Sequence, residues 1–128
     1  MKYSELKPGQ IVSTQQFILD KTFLDGYIKS TSDTAGNSCV DFAPPMSIAA
    51  LAVRAAITDL KIPGGTLHLT QEVEFFGPVP VGETISCSAK LLQNSLRSGM
   101  RVLVIELSVK SNGGSHLMSG KSTITVPN

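Results

Sequence analysis

Apolar side chains crowd together between residues 43 and 60, where Met46, Ile48, Ala49, Ala50, Leu51, Ala52, Val53, Ala55, Ala56, Ile57 and Leu60 leave Arg54 as the only charge before Asp59. Pro44 and Pro45 come first. Proline suits a helix's first turn, because its missing N–H would be unpaired there in any case. Alanine and leucine are strong helix formers. The stretch predicts a helix with apolar residues on nearly every face, and such a helix must be enclosed. It is too short and too rich in alanine to span a bilayer comfortably, so protein is expected around it.

The rest of the chain supplies the enclosure. Lys7-Pro8-Gly9-Gln10 is a turn, and residues 11–18 (IVSTQQFI) form a first strand. Asp20 or Thr22 then caps a short helix, with Phe23, Leu24, Tyr27 and Ile28 along one side at helical spacing. Residues 33–41 (DTAGNSCVD) are polar and irregular, a loop that delivers the chain into the long helix. Lys61-Ile62-Pro63-Gly64-Gly65 carries the usual stop signals.

From residue 66 to 76 the pattern switches to period two. Leu67, Leu69, Gln71, Val73 and Phe75 fall on one face, and Thr66, His68, Thr70, Glu72 and Glu74 on the other. The first face is expected on the core. Residues 77–82 (GPVPVG) are a connection, since no central strand tolerates that density of proline. Residues 83–93, 100–110 and 116–126 read as three more strands, separated by turns at 95–99 and at Ser111-Asn112-Gly113-Gly114, where Asn-Gly is suited to positive φ.

The order is strand, short helix, loop, long helix, then four long antiparallel strands. One helix lying across one curved antiparallel sheet satisfies both apolar surfaces, giving an α+β, hot-dog architecture in a single domain spanning 1–128. A single such sheet covers only part of the helix and leaves an edge open. Edge-to-edge pairing of two sheets closes the gap, so a dimer is expected.

Composition narrows the function classes. A chain of 128 residues is long enough for one real core. A net charge of +1, without any basic cluster, offers nothing to nucleic acid or to an acidic membrane surface. The start, MKYSELKPGQ, has no apolar run, so a cytoplasmic protein with Cys39 and Cys87 as reduced thiols is expected, although a disulfide between them stays open. The two cysteines form no metal-type spacing, and no metal or cofactor is implied.

The run PMSIAALAVRAAITDLKIPGGTLHLTQEVEFFGPVPVG, residues 45–82, resembles the MaoC-like hydratases and dehydratases: a buried helix, a Pro-Gly turn, a Gln-containing strand ending in Phe, then Pro-Val and Gly. The Ala-Pro-Pro helix start is similar to the dehydratase-like half of double hot-dog members, which is often non-catalytic. The resemblance spans roughly residues 5–127. It implies acyl thioesters, carried on coenzyme A or acyl carrier protein, as ligands. It also implies hydration of a trans-2-enoyl thioester, or dehydration of an (R)-3-hydroxyacyl thioester, as the reaction. That chemistry needs a carboxylate and an imidazole to activate water, a backbone N–H at the helix start for the thioester oxygen, and an acyl tunnel made partly by a dimer partner.

Carried over by position, Asp33 matches the family's aspartate, and Asn37 matches its asparagine only with a shift of register. Ser38 stands where the family has histidine, and no histidine occurs before His68. Pro45 replaces the oxyanion glycine and has no N–H to donate. Val53 occupies the position of a family serine. The amides of Met46 and Ser47 are then the next candidates to hold a carbonyl or phosphate at the helix start.

Each candidate also has a plainer reading. Asp33, Asn37 and Ser38 can equally be loop residues bonding nearby backbone. Arg54 can face a coenzyme phosphate or serve as an interface arginine. His68 reads as a surface or interface histidine and His116 as exposed beside a turn. Lys90, Arg97 and Arg101 read as a solvated face. Three functions follow. The chain is a partner subunit, in a homodimer or heterodimer with another hot-dog chain that supplies the Asp/His pair. Alternatively it is itself a hydro-lyase using Asp33, or a thioesterase using Asp41. Joint loss of imidazole and oxyanion amide places the first ahead.

Overall fold

The computed structural model describes residues 3–23 and 42–127. A 3-10 turn at Tyr3–Glu5 leads into β1 (Ile11–Ile18). Helix α1 (Pro45–Leu60) follows, then β2 (Leu67–Phe75), β3 (Thr84–Arg97), β4 (Met100–Ser111) and β5 (His116–Pro127). The five strands make one antiparallel sheet in the order β1-β3-β4-β5-β2, leaving β1 and β2 as its edges. The helix lies across the sheet's concave face, the α+β arrangement expected of a hot-dog fold.

Alternation along the three inner strands builds the core. Ile85, Cys87, Ala89 and Leu91 of β3, Leu103, Ile105, Leu107 and Val109 of β4, and Met118, Ile124 and Val126 of β5 are all buried in one cluster. Ile48, Leu51, Ala52, Ala55, Ala56 and Leu60 of α1 complete it. Each fully buried aliphatic side chain contributes roughly 1.5–3 kcal/mol. The opposite face carries a charge ladder in direct register across four strands: Lys90 on β3, Glu106 on β4, Lys121 on β5 and Glu72 on β2. Opposite charges on facing residues favour this register, and a slip would turn the apolar set outward.

Polar contacts fasten the periphery. Asp59 near the end of α1 accepts hydrogen bonds from Ser13 Oγ at 2.6 Å and Gln15 Nε2 at 2.8 Å, tying the helix to the edge strand β1. Arg101 sits on a partly buried wall, not the solvated face expected of it. Its Nη1 donates to Asn94 Oδ1 at 2.9 Å, and Asn94 Nδ2 donates to the Tyr3 and Leu6 carbonyls at 2.8 and 2.9 Å. The Tyr3 hydroxyl in turn donates to the Leu60 carbonyl at 2.8 Å, closing the helix's far end.

Several local expectations are refined. Of the two candidate caps, Asp20 is the one used: its carboxylate accepts the Phe23 N–H at 2.8 Å over the helical turn at 21–23. Leu24, Tyr27 and Ile28 lie outside the described residues. Strand β3 runs on to Arg97 because Ser98 and Gly99 both take positive φ, 51° and 78°, as a two-residue hairpin turn requires. In the next hairpin the positive φ falls on Gly114, at 90°, and not on the Asn-Gly pair.

The larger correction concerns β2. Its register against β5 breaks between His68 and Thr70, so Leu69 is an extra, bulged residue. A bulge puts the residues on its two sides on opposite alternation. Val73 and Phe75 pack on the core as expected, but Leu67 and Leu69 are 59% and 54% exposed. His68 pairs with the core-facing Ile124 and therefore faces the helix side. Opposite this strand Gly120 is obligatory in space: a Cβ there would lie 2.8 Å from the Glu72 carbonyl oxygen.

Replacing Asp59 by alanine removes the acceptor for both β1 side chains. We expect it to lower unfolding stability by about 2 kcal/mol in urea titration, with Ser13→Ala reproducing part of that loss.

Candidate functional site

The helix start is built by a crossing of two connections. Phe42 bridges to Pro80, and the Ala43 N–H donates to the Val79 carbonyl at 2.8 Å. The chain then turns through Pro44, at φ −59° and ψ 134°, into a helix with Pro45 in its first turn and no side-chain cap. Neither proline has an N–H to offer. Ser47 does not offer one either, which corrects its assignment as a free donor. Its N–H donates to the Pro44 carbonyl at 2.9 Å, its hydroxyl donates to the same oxygen at 2.6 Å, and the side chain is buried. The Met46 N–H makes no backbone hydrogen bond to the described residues outside the helix, and its side chain is 52% exposed on the helix's open flank. Asp33, Asn37, Ser38, Cys39 and Asp41 lie outside the described residues.

Two concavities flank the helix. The first is an open groove of about 470 Å³ along α1, lined by Met46, Ala50, Val53, Arg54 and Ile57 and closed at one side by Gln71 of β2. Arg54 is exposed here. The second is a cavity of about 270 Å³ beneath the last two turns of the helix. Its apolar wall includes Val53, Ala56, Leu60, Ile105, Leu107 and Ile124. Its polar side is Thr66, His68 and Ser122. Such a space suits the end of a small organic ligand, being just under the roughly 300–1,000 Å³ of typical small-molecule sites.

Sequence reasoning missed this cavity's polar side. His68 was assigned to the outer face because Leu67, His68, Leu69 and Thr70 alternate without a break. Gln71 gives no signal of the bulge, since it stays on the helix side with Val73, opposite Ser122. Ser122 gave no signal at all. The sequence marks the buried Ala56 only as part of an apolar run, and the half-buried Val53 there and as the counterpart of a family serine.

Other chemistry is sparse. Among the described residues no group of His, Cys, Asp and Glu is placed to hold a metal ion, and no helix is long and apolar enough to cross a membrane. His116 stacks at 4.9 Å on Phe76 and lies 3.4 Å from Ser108 Oγ, on the exposed side of the sheet. Cys87 is buried among core side chains, and burial pushes its thiol up from 9.0 to about 12.

Residues 32–120 match the family model described as FAS1-like, dehydratase domain region. The chain belongs to that family. No curated protein sequence matches it. Similar solved structures share the fold at low identity. The unliganded R-hydratase PhaJ1 from Pseudomonas aeruginosa superposes with a TM-score of 0.79 at 22% identity, over 98% of this chain and 85% of that one. The (R)-hydratase from A. caviae involved in PHA biosynthesis gives 0.80 at 17%, over 96% and 98%. The C-terminally truncated HadBC complex, a 3R-hydroxyacyl-ACP dehydratase from Mycobacterium tuberculosis, gives 0.71 at 16%, over 92% and 96%. This FAS1-like dehydratase-region chain thus shares its hot-dog fold with (R)-hydratase and dehydratase structures, in line with the resemblance of its helix and strand motifs.

The Cys87 thiol makes a checkable pH statement. Between pH 9 and about 12 the unfolded chain loses this proton while the folded chain keeps it. Folding stability should therefore fall as pH rises through that window, by at most about 1.4 kcal/mol per pH unit from this group. Cys87→Ala should show a shallower decline than the parent in denaturant titrations at pH 8, 9 and 10.

Proposed function

We propose that this chain, a single hot-dog domain, binds acyl thioesters in the cytoplasm as one subunit of a hydratase or dehydratase pair whose other hot-dog chain supplies the water-activating Asp/His pair. The observation that carries this reading is the helix start. Pro44 and Pro45 have no amide and Ser47's is already spent on the Pro44 carbonyl, so a thioester oxygen meets little there to stabilise it. Removing one oxyanion donor typically costs about a hundredfold or more in rate, and general acid–base help is worth about the same. The ligand-holding parts remain: an apolar cavity beneath the helix and a groove beside it where Arg54 offers a cation to a carrier phosphate.

The surface around the groove supports a subunit role. Among the described residues, edge strand β2 is unpaired on its outer side and presents Leu67 and Leu69, while Met46 and Ile57 are exposed on α1 beyond it. A second hot-dog chain adding its own edge strand here would bond the free backbone and cover these side chains. The twin or a different chain can fill this place. A hydro-lyase reading, with Asp33 as the base, draws support from the family match over residues 32–120.

Two measurements test the proposal. The purified chain alone should hydrate crotonyl-CoA no faster than the buffer control, and activity should appear when a hot-dog chain bearing the Asp/His pair is added. Turnover by the chain alone that disappears in Asp33→Asn would establish the hydro-lyase reading instead. Separately, Leu69→Lys should shift the chain from dimer to monomer in light scattering, with little change in its circular dichroism spectrum.

A further inference from the structure

The cavity under the end of α1 is not uniformly apolar, and its polar groups converge. Ser122 is 5% exposed, and its Oγ has no hydrogen-bond partner among the described residues. It stands on β5 between Gly120 and Ile124 in the alternation that faces the helix, opposite the core residue Ile105. The bulge at Leu69 brings His68 onto the same face of the neighbouring strand, in register with Ile124. Thr66 completes the group. Its hydroxyl proton is committed to the Pro63 carbonyl at 2.8 Å, which leaves its oxygen free to accept. All three line the one space of about 270 Å³.

A buried hydroxyl without a partner is costly, and water or a ligand atom must satisfy it. A purely hydrocarbon chain filling the cavity would expel that water and leave the hydroxyl bare. A ligand oxygen that takes the water's place would not. Among the described residues the cavity's lining contains no lysine or arginine, so a carboxylate buried there would lack a counter-charge from them. A neutral oxygen fits: a keto group can accept from Ser122, and a hydroxyl can also donate to it.

We propose that this cavity selects a compact acyl group bearing a neutral keto or hydroxyl oxygen near its far end, with Ser122 as the specificity-determining residue and His68 beside it. In its thioester form the proposal rests on the acyl-binding reading above. The preference for an oxygen in the cavity does not.

Carrier-free probes isolate that preference. Cyclohexanone and methylenecyclohexane differ chiefly in one atom. Titrated into the purified chain and followed by the methyl resonances of Ile105 and Ile124, the ketone should bind about five- to tenfold more tightly. In Ser122→Ala the two affinities should converge to within about twofold, with the hydrocarbon's little changed. His68→Leu, at the exposed side of the cavity, should narrow the gap in part, and it carries the test if circular dichroism shows that Ser122→Ala does not fold. Equal binding, binding of neither probe, a preference for the hydrocarbon, or a ketone preference untouched by the substitutions overturns the proposal. Hexanoyl-CoA and 5-oxohexanoyl-CoA are titrated beside them. If neither thioester binds while the ketone preference holds, the acyl-thioester reading fails and the oxygen-selective cavity stands.

Discussion

Small side chains on one side of α1 set how closely the sheet can close over it. Ser47, Ala49, Ala52, Ala55 and Ala56 are all buried, interleaved with Ile48, Leu51 and Leu60. Alanine contributes little volume, so large residues on the sheet, among them Leu91, Leu103, Leu107 and Met118, can reach the helix backbone's neighbourhood without a gap. The concave face takes the bulk and the helix supplies the space. Larger residues in the alanine row would lift the helix from the sheet, and the cavity, the groove and the Asp59 attachment to β1 would all lose their geometry. The cavity and the groove are by-products of that fit: the cavity lies where the helix ends and the sheet continues, and the groove lies where the sheet stops short of the helix's outer flank.

Much of this was legible in the sequence because it follows from periodicity. The helix, its proline start, the four later strands and their order come from patterns that a single chain displays directly. What periodicity hides is an insertion that keeps the pattern intact. Leu67, His68, Leu69 and Thr70 alternate without a break, yet the bulge at Leu69 exchanges the two faces midway along β2. The leucines consequently point away from the core and His68 points toward it. The other unreadable feature was hydrogen-bond occupancy. Nothing in the residue sequence reveals that Ser47 spends both its amide and its hydroxyl on one proline carbonyl, because that depends on backbone angles at Pro44. Arg101 was misplaced for a similar reason: only the fold brings Asn94 within reach of both the arginine and the carbonyls of Tyr3 and Leu6.

The bulge also lets one edge strand do two jobs. Beyond it, Val73 and Phe75 anchor the strand to the core, and Glu72 closes the charge ladder on the outer face. Before it, the leucines are free for a partner and His68 is free for the cavity. An unbroken strand could not divide its side chains this way. With Leu67 and Leu69 inward, the cavity would be filled and the outer edge left polar. Further along the strand β2 and β5 approach closely at Gly120, where the Glu72 carbonyl sits too near for any side chain. The exposed leucines and the cavity are therefore linked through one irregular residue pair, and the proposed partner, by reshaping the edge, would also move a wall of the cavity.

The proline start separates shape from chemistry in the same economical way. Two prolines at the beginning of α1 hold φ near the helical value and remove two amides that would otherwise need partners. That makes a firm helix start without any side-chain cap, and it explains why Ser47 can turn inward to bond the Pro44 carbonyl. The same change withdraws donors from the place where a developing oxyanion would need them. A site so arranged stabilises the helix in its ground state and contributes little to a transition state at that end. Binding energy is then available mainly from the cavity and groove further along the helix. This is the division of labour expected of a chain that holds an acyl group while another chain carries out the reaction.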